Sequence, residues 1–261
     1  MFELLSKVKE VNPLVLHYTN EVTINDCANI TLALGASPLM SYSYEEAEEI
    51  IPIASSVVIN IGTMNSSHIN LFIKAGKIAN RFNKPIILDP VGVFATKSRA
   101  RLVEELLNKV KFDVIKGNFA EIKYIGGFDV KGKGVDSFDE DENIDEIIKK
   151  VAKKLECVVV ATGKVDVITD GEKIIKIENG TSKLKSITGT GCMSASLIGS
   201  YLGACEDKLN SSAMGILTMS LCGELADDEN IGIGSFRVKL MDNIYKLNED
   251  KLKKFSRVEV F

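Results

Sequence analysis

Four short apolar runs constrain the fold of this chain more than any other feature. Residues 57–61 (VVINI), 85–88 (PIIL), 113–115 (DVI) and 158–161 (VVVA) lack the sustained apolar–polar alternation of a strand with one wet face. A strand that is apolar on both sides must be covered on both sides, which is the condition of a parallel sheet between helical layers. Residues 67–80, 98–110 and 120–125, which follow the first three runs, carry helical spacing of apolar side chains. The expected architecture is therefore a three-layer α/β/α fold with a mostly parallel central sheet. Residues 165–169 and 173–178 flank Asp170-Gly171, a two-residue turn signal that predicts an antiparallel hairpin at one edge.

The flanking segments fit the same plan. Residues 1–11 form an amphipathic helix stopped by Pro13, and residues 14–16 a short strand. Thr19 and Asn20 precede a helical pattern that Gly35 closes. Residues 36–40 are a loop or a short extended piece. Ser43 and Glu46 have capping-box spacing for a helix to about residue 54. Residues 192–204, 208–226 and 235–247 are three further helices. Residues 129–145 (DVKGKGVDSFDEDENID) are polar and charged, as expected of a solvated surface loop.

With 261 residues and no break in composition, a single domain over 1–261 is expected. The net charge of -4 and the lack of a basic stripe argue against a nucleic-acid partner. No segment approaches the roughly 18 uninterrupted apolar residues of a membrane span, and the first residues alternate charge with apolar groups, unlike a secretory leader. The five cysteines are odd in number and form no C-x-x-C pair, which points to reduced thiols and a cytoplasmic location. His17 and His68 are far apart and read as structural.

In open parallel sheets, ligands sit beyond the carboxyl ends of the strands. Here those ends carry Gly62, Asp89, Lys116, Asn118 and Thr162-Gly163, which should share one rim. Thr188-Gly189-Thr190-Gly191 precedes a small-residue, apolar stretch with Cys192 in its first turn. Glycines at a helix start leave backbone N–H groups free to face an anion, and the helix dipole adds positive charge. A plain strand-to-helix connection is the alternative. Cys192 is either a thiol with its pKa lowered by the helix start or a small buried packing residue.

The order of these motifs resembles the ribokinase-like fold and, more closely, the hydroxyethylthiazole kinase family, over residues 13–236. The resemblance rests on Leu34-Gly35-Ala36-Ser37-Pro38-Leu39-Met40, Asn60-Ile61-Gly62-Thr63, Ile87-Leu88-Asp89-Pro90-Val91-Gly92, Asn118-x-x-Glu121 and Thr188-Gly189-Thr190-Gly191-Cys192. It implies transfer of a phosphoryl group from ATP, with Mg²⁺, to the hydroxyl of 4-methyl-5-(2-hydroxyethyl)thiazole in thiamine salvage. It also implies a homotrimer with sites near subunit contacts. Met40 and Gly189 match the family's thiazole-contacting residues, and Lys116 and Thr162 its ATP-contacting residues. Many relatives carry Arg at position 116; Lys keeps the charge without the bidentate fork.

Within that frame Asp89 and Glu121 hold Mg²⁺ directly or through water, as a hard cation requires. The alternatives are a turn cap before Pro90 and a first-turn helix residue that complements the dipole. Gly189, Thr190 and Gly191 present N–H groups to the phosphoryl group in flight. Cys192 stands where ribokinase-like sugar kinases carry an aspartate base, and positions the hydroxyl more than it deprotonates it. Met40 offers a polarizable contact to a sulfur heterocycle. Asn20 and Gly62 border the substrate, with helix capping and a plain turn as their alternatives, and Asn118 and Gly163 join the ATP site. Two other functions stay open: a kinase of another vitamin alcohol such as a hydroxymethylpyrimidine, and a non-catalytic nucleotide or vitamin sensor. A Rossmann-type oxidoreductase is disfavoured, because no G-x-G-x-x-G follows the first strand with an acidic residue about 20 positions on.

Overall fold

The computed structural model describes residues 1–65, 67–128 and 143–261. The chain runs α1 (Leu4–Val11), β1 (Leu14–Tyr18), α2 (Ile24–Leu34), β2 (Ser37–Met40), α3 (Ala47–Ile50), β3 (Ser56–Asn60), α4 (His68–Arg81), β4 (Ile86–Asp89), α5 (Lys97–Lys109), β5 (Val114–Asn118), α6 (Phe119–Gly126) and α7 (Ile144–Leu155). It continues through β6 (Val158–Thr162), β7 (Asp166–Thr169), β8 (Ile174–Ile177), a 3-10 turn (Ser182–Ser186), α8 (Thr190–Ala204), α9 (Lys208–Ala226), α10 (Ile233–Tyr245), α11 (Glu249–Phe255) and β9 (Val258–Val260).

One sheet of nine strands carries the order β2-β1-β3-β4-β5-β6-β7-β8-β9. Strands β1 to β6 are parallel, and β7, β8 and β9 are antiparallel additions at one edge. The expected mostly parallel sheet with an antiparallel edge is therefore present. Period-two alternation divides the strand residues between two cores. Val15, Val58, Ile87, Val114 and Val160 pack against α1, α2, α8, α9 and α10. Leu16, Val57, Ile59, Leu88, Ile115 and Val159 pack against α3 to α7. This double burial is the reason the strands read as continuous apolar runs.

Of the two readings of residues 36–40, the short extended piece holds: it is a paired strand, β2, which bonds to β1 in parallel. Other expectations need correction. Strand β5 starts one residue later than expected, at Val114, and takes in Lys116, Gly117 and Asn118 as its carboxyl end. The hairpin connection spans residues 170–173, because Thr169 pairs with Ile174. Asp170 Oδ1 accepts the N–H groups of Glu172 and Lys173, which stabilises that longer turn. Ser43 Oγ accepts the Glu46 N–H at 3.2 Å, yet the helix that follows is one turn long and ends at Ile50. Residues 129–142 of the expected surface loop lie outside the described residues. Asn143 instead caps α7, its Oδ1 accepting the Glu146 N–H, so Asp145 is helical.

Helices α8 and α9 cross closely on one face of the sheet. Both are buried almost all round, which explains their lack of an apolar stripe. Gly215 permits the approach: a Cβ there would stand 2.6 Å from the Ile198 backbone nitrogen. Replacing Gly215 by alanine is expected to lower stability by roughly 1–3 kcal/mol through overpacking. A urea denaturation midpoint equal to that of the parent would contradict this close packing.

Candidate active site

The same alternation that divides the core aligns the site. Asn60, Asp89, Lys116, Asn118 and Thr162 lie in register with strand residues that face α8 and α9, at the carboxyl ends of β3, β4, β5 and β6. Strand β1 lies between β2 and β3, so the strand order reverses there, at the kind of switch point where open α/β sheets bind ligands. A hydrogen bond from Asn20 Nδ2 to Asn60 Oδ1, 2.9 Å, spans that point.

Helix α8 starts over this row. Gly189 is its N-cap with φ +89°, a conformation that favours glycine. A Cβ at Gly189 would also meet Thr23 Cγ2 at 2.5 Å. The helix begins at Thr190, two residues earlier than expected, so Thr190 and Gly191 belong to the first turn. Backbone N–H groups there have no intrahelical acceptor. Lys116 Nζ reaches the same place: a Cβ on Gly191 would stand 3.0 Å from it.

Lys116 and Asp89 are both buried, with Nζ and Oδ1 3.8 Å apart. Asn60 Nδ2 donates to Asp89 Oδ2 at 2.8 Å. Asp89 Oδ1 is buried and has no hydrogen-bond partner. Burial pushes the Asp89 carboxyl up, while the Lys116 ammonium works against that rise. Burial alone would pull Lys116 down. The negative charge of Asp89, and after it the carboxylates of Glu121 and Asp166, more than offsets this, so the ammonium lies above its ordinary value.

Glu121 and Asn118 form a capping box at the start of α6. Glu121 Oε2 accepts the Asn118 N–H at 2.8 Å, and Asn118 Oδ1 accepts the Glu121 N–H at 2.8 Å. Glu121 Oε1 accepts the Gly92 N–H at 2.7 Å, which ties the β4 tip to the β5 tip. Glu121 thus sits in the first turn of α6, as its helix alternative expects, and each carboxylate oxygen keeps capacity for a second contact.

Cys192 departs from the expected acidity. Burial raises its pKa first, and the Asp89 charge adds to the rise; Lys116 and hydrogen bonds from Thr23 and Asn20 only partly oppose it. The thiol accepts from Asn20 Nδ2 at 3.2 Å. It is a positioned thiol, not a thiolate activated by the helix start. Asn20 Oδ1 also accepts the Thr23 N–H at 3.1 Å, so this residue both shapes the turn before α2 and reaches the site. Gly62 allows that approach, since a Cβ there would meet Asn20 Nδ2 at 2.8 Å.

A cavity of about 410 Å³ opens on the other side of the α8 start. Asn118, Thr162, Gly163, Thr190 and Gly191 line it, so the structure unites these sequence-predicted residues. Asn20, Gly62 and Met40 do not line this cavity. Met40 ends the outer strand β2, opposite His17. Asp166, which sequence reasoning missed, sits at the cavity wall. It accepts the Gly163 N–H and the Ser220 hydroxyl, each at 2.9 Å, and burial pushes its carboxyl up to about 6. Asn60 was legible as the polar end of an apolar strand, but nothing local marked Asp166. Among the described residues, no group of three or more His, Cys, Asp or Glu side chains stands ready to hold a metal by itself.

His17 lies behind this row, as the structural reading expects. Its Nδ1 faces the Val15 carbonyl at 3.0 Å and its Nε2 the Ser196 hydroxyl of α8 at 3.1 Å. Burial lowers its pKa to about 4. A histidine whose folded value lies below its unfolded one stabilises the fold above the unfolded value, and that contribution is lost as pH falls. Unfolding free energy should therefore drop by about 2 kcal/mol between pH 7 and pH 5, relative to His17→Gln. Parallel pH profiles for the two proteins would contradict a buried neutral imidazole.

Residues 5–250 match the model of the hydroxyethylthiazole kinase family. The hydroxyethylthiazole kinase of Clostridioides difficile is 63% identical over 259 residues, covering 99% of each chain. The solved structure of a hydroxyethylthiazole kinase from Pyrococcus horikoshii superposes with a TM-score of 0.90 at 39% identity, covering 100% of this chain and 98% of that one. A ribokinase-like superfamily protein from Enterococcus faecalis shares the fold alone, at a TM-score of 0.63 and 13% identity over 93% of this chain and 88% of its own.

Proposed function

The chain belongs to the hydroxyethylthiazole kinase family, and from that premise we propose how its own residues carry the reaction. The protein is an ATP-dependent phosphotransferase acting on the hydroxyl of 4-methyl-5-(2-hydroxyethyl)thiazole in thiamine biosynthesis and salvage. The observation that carries the assignment of roles is Lys116 Nζ set between Asp89 and the first turn of α8: Lys116 does not itself line the cavity, but Gly191 beside it does.

ATP occupies the cavity, with Asn118, Thr162 and Gly163 along its strand-side wall. Its terminal phosphate faces Lys116 and the N–H groups of Gly189, Thr190 and Gly191. Fixed donors of this kind act where negative charge spreads over the equatorial oxygens in the transition state. The thiazole alcohol lies on the far side of the α8 start, toward Asn20, Gly62, Gly189 and Met40. Cys192 hydrogen-bonds the acceptor hydroxyl and orients it. Its raised pKa supports positioning over deprotonation, and a loose transition state gains little from a strong base.

Asp89 Oδ1, buried and without a partner, suits a hard cation that takes one or two carboxylates plus phosphate and water oxygens. Asp89 is the residue that would hold Mg²⁺, with Glu121 contributing directly or through water. A cation held by Asp89 would supply positive charge to offset that of the transferring phosphoryl group.

The kinase domain spans residues 1–261, supported by one sheet that extends from β2 to β9. The enzyme is a homotrimer with sites near subunit contacts, a reading supported by the place of Met40 on the outer strand. A cytoplasmic location is supported by five free cysteines. Among the described residues, no helix is long and apolar enough to cross a membrane.

Steady-state assays of ADP formation should show the thiazole alcohol turned over far faster than a hydroxymethylpyrimidine. Equal turnover of the two would sink the specificity claim, and tight calorimetric binding without ADP would indicate a sensor. Cys192→Ala should keep measurable turnover, whereas Gly189→Val should abolish it by filling the space against Thr23. A Cys192→Ala protein that binds nucleotide but has no detectable activity would overturn the positioning role.

A further inference from the structure

Arg99 lies in the first turn of α5 and meets neither the cavity nor the Asp89–Lys116 pair, yet it makes a concentrated set of hydrogen bonds near the site. Its Nη1 donates to the carbonyls of Ile61 and Val91, each at 2.8 Å, and its Nη2 donates to the Gly62 carbonyl at 2.7 Å. Nη1 carries two N–H groups, so both of its bonds are satisfiable at once. One planar group thus clamps the segment beyond β3 to the segment beyond β4.

Its backbone is fixed as well, because the Arg99 N–H donates to Thr96 Oγ1, the N-cap of α5, at 3.2 Å. That first turn holds Lys97 and Arg99 and no acidic residue. Two cations at a helix N-terminus oppose the dipole. The three carbonyls that Arg99 reaches offset that unfavourable placement.

The clamped segments belong to the acceptor half of the site. Gly62 packs against the Asn20 amide, which bonds Cys192. Val91 follows Asp89 by two residues, and the next N–H, that of Gly92, is held by Glu121. Ile61, Gly62 and Val91 do not line the nucleotide cavity.

We infer that Arg99 is a positioning residue for the acceptor alcohol: by holding the Ile61, Gly62 and Val91 carbonyls it sets the distance between the Asn20–Gly62 wall and the Asp89 tip. Lysine cannot reproduce this, because it lacks a planar fork that serves three carbonyls in fixed directions. The inference rests on the functional reading above only in naming the acceptor.

The test compares the parent with Arg99→Ala and Arg99→Lys by steady-state kinetics in both substrates, thermal melting, and amide hydrogen exchange. Arg99→Ala should raise KM for the thiazole alcohol at least tenfold while KM for ATP changes less than twofold. Arg99→Lys should fall between the two, and guanidinium ion at millimolar concentration should restore part of the Arg99→Ala loss. Exchange at Ile61, Gly62, Gly92 and Val93 should quicken at least tenfold, with β3 and β4 unchanged. Equal rises in both KM values, or a loss of kcat alone that follows melting, would overturn the assignment. If Arg99→Ala does not fold, the KM split and the exchange pattern in Arg99→Lys decide. The exchange arm tests the clamp without any substrate. A parent enzyme that leaves the thiazole alcohol unphosphorylated would count against the functional reading, while unchanged exchange in both variants would count against Arg99.

Discussion

A buried ammonium beside a buried carboxylate, Lys116 and Asp89, is the constraint on which the rest of this site depends. Neither charge is tolerable alone in that position, since an unpaired buried ion costs several kcal/mol even after relaxation. Parallel neighbours β4 and β5 bring the two together. The sheet face on which they stand is covered by α8, whose first turn lies beside Lys116 Nζ. Gly189 must be glycine for the backbone to enter α8 at that point beside Thr23. The positive end of the helix and the Lys116 ammonium then share one small volume, with Asp89 as the opposing charge. That combination of charges is what supports the phosphate role proposed for this place.

Around this centre, polar residues each do two tasks. Asn60 donates to Asp89 and accepts from both Asn20 and the Gly62 N–H. Glu121 caps α6 and holds the β4 tip. Asn20 shapes the entry to α2 and reaches the Cys192 thiol. Buried polar groups with every partner supplied make a rigid network. The exception is Asp89 Oδ1, left without a donor at the place where a cation with phosphate oxygens would complete it. Arg99 ties the same strand tips from outside.

The fold was legible where burial left a strong pattern. The runs that became β3, β4 and β6 read as buried strands because both of their faces are covered, and the ends of α9 fell where sequence placed them. The antiparallel edge was only half visible: β9 is three residues long, and its pairing with β8 is a long-range event with no local signal. Helix α7 escaped notice because its basic residues merge with the charged segment before it. The places of Asp89, Lys116, Asn118 and Thr162 at strand ends were legible in the sequence. Cys192 shows the limit of that approach. The helix start suggested a lowered pKa, but the sign is decided by burial and by Asp89, which is distant in sequence. Arg99 acts through backbone carbonyls of other segments, and Asp166 is tied to the distant Ser220 hydroxyl as well as to the local Gly163 N–H, so neither role shows in the sequence nearby.

The dependence of the site on its charged pair is open to a direct measurement. Unfolding free energies of Lys116→Met, Asp89→Asn and the double variant form a thermodynamic cycle. Lys116→Met should cost about 3–5 kcal/mol by leaving a buried carboxylate uncompensated. The double variant should be more stable than Lys116→Met, because the second substitution removes that uncompensated charge. Losses that add independently would show that the two groups do not support each other, and would contradict the account of the site given above.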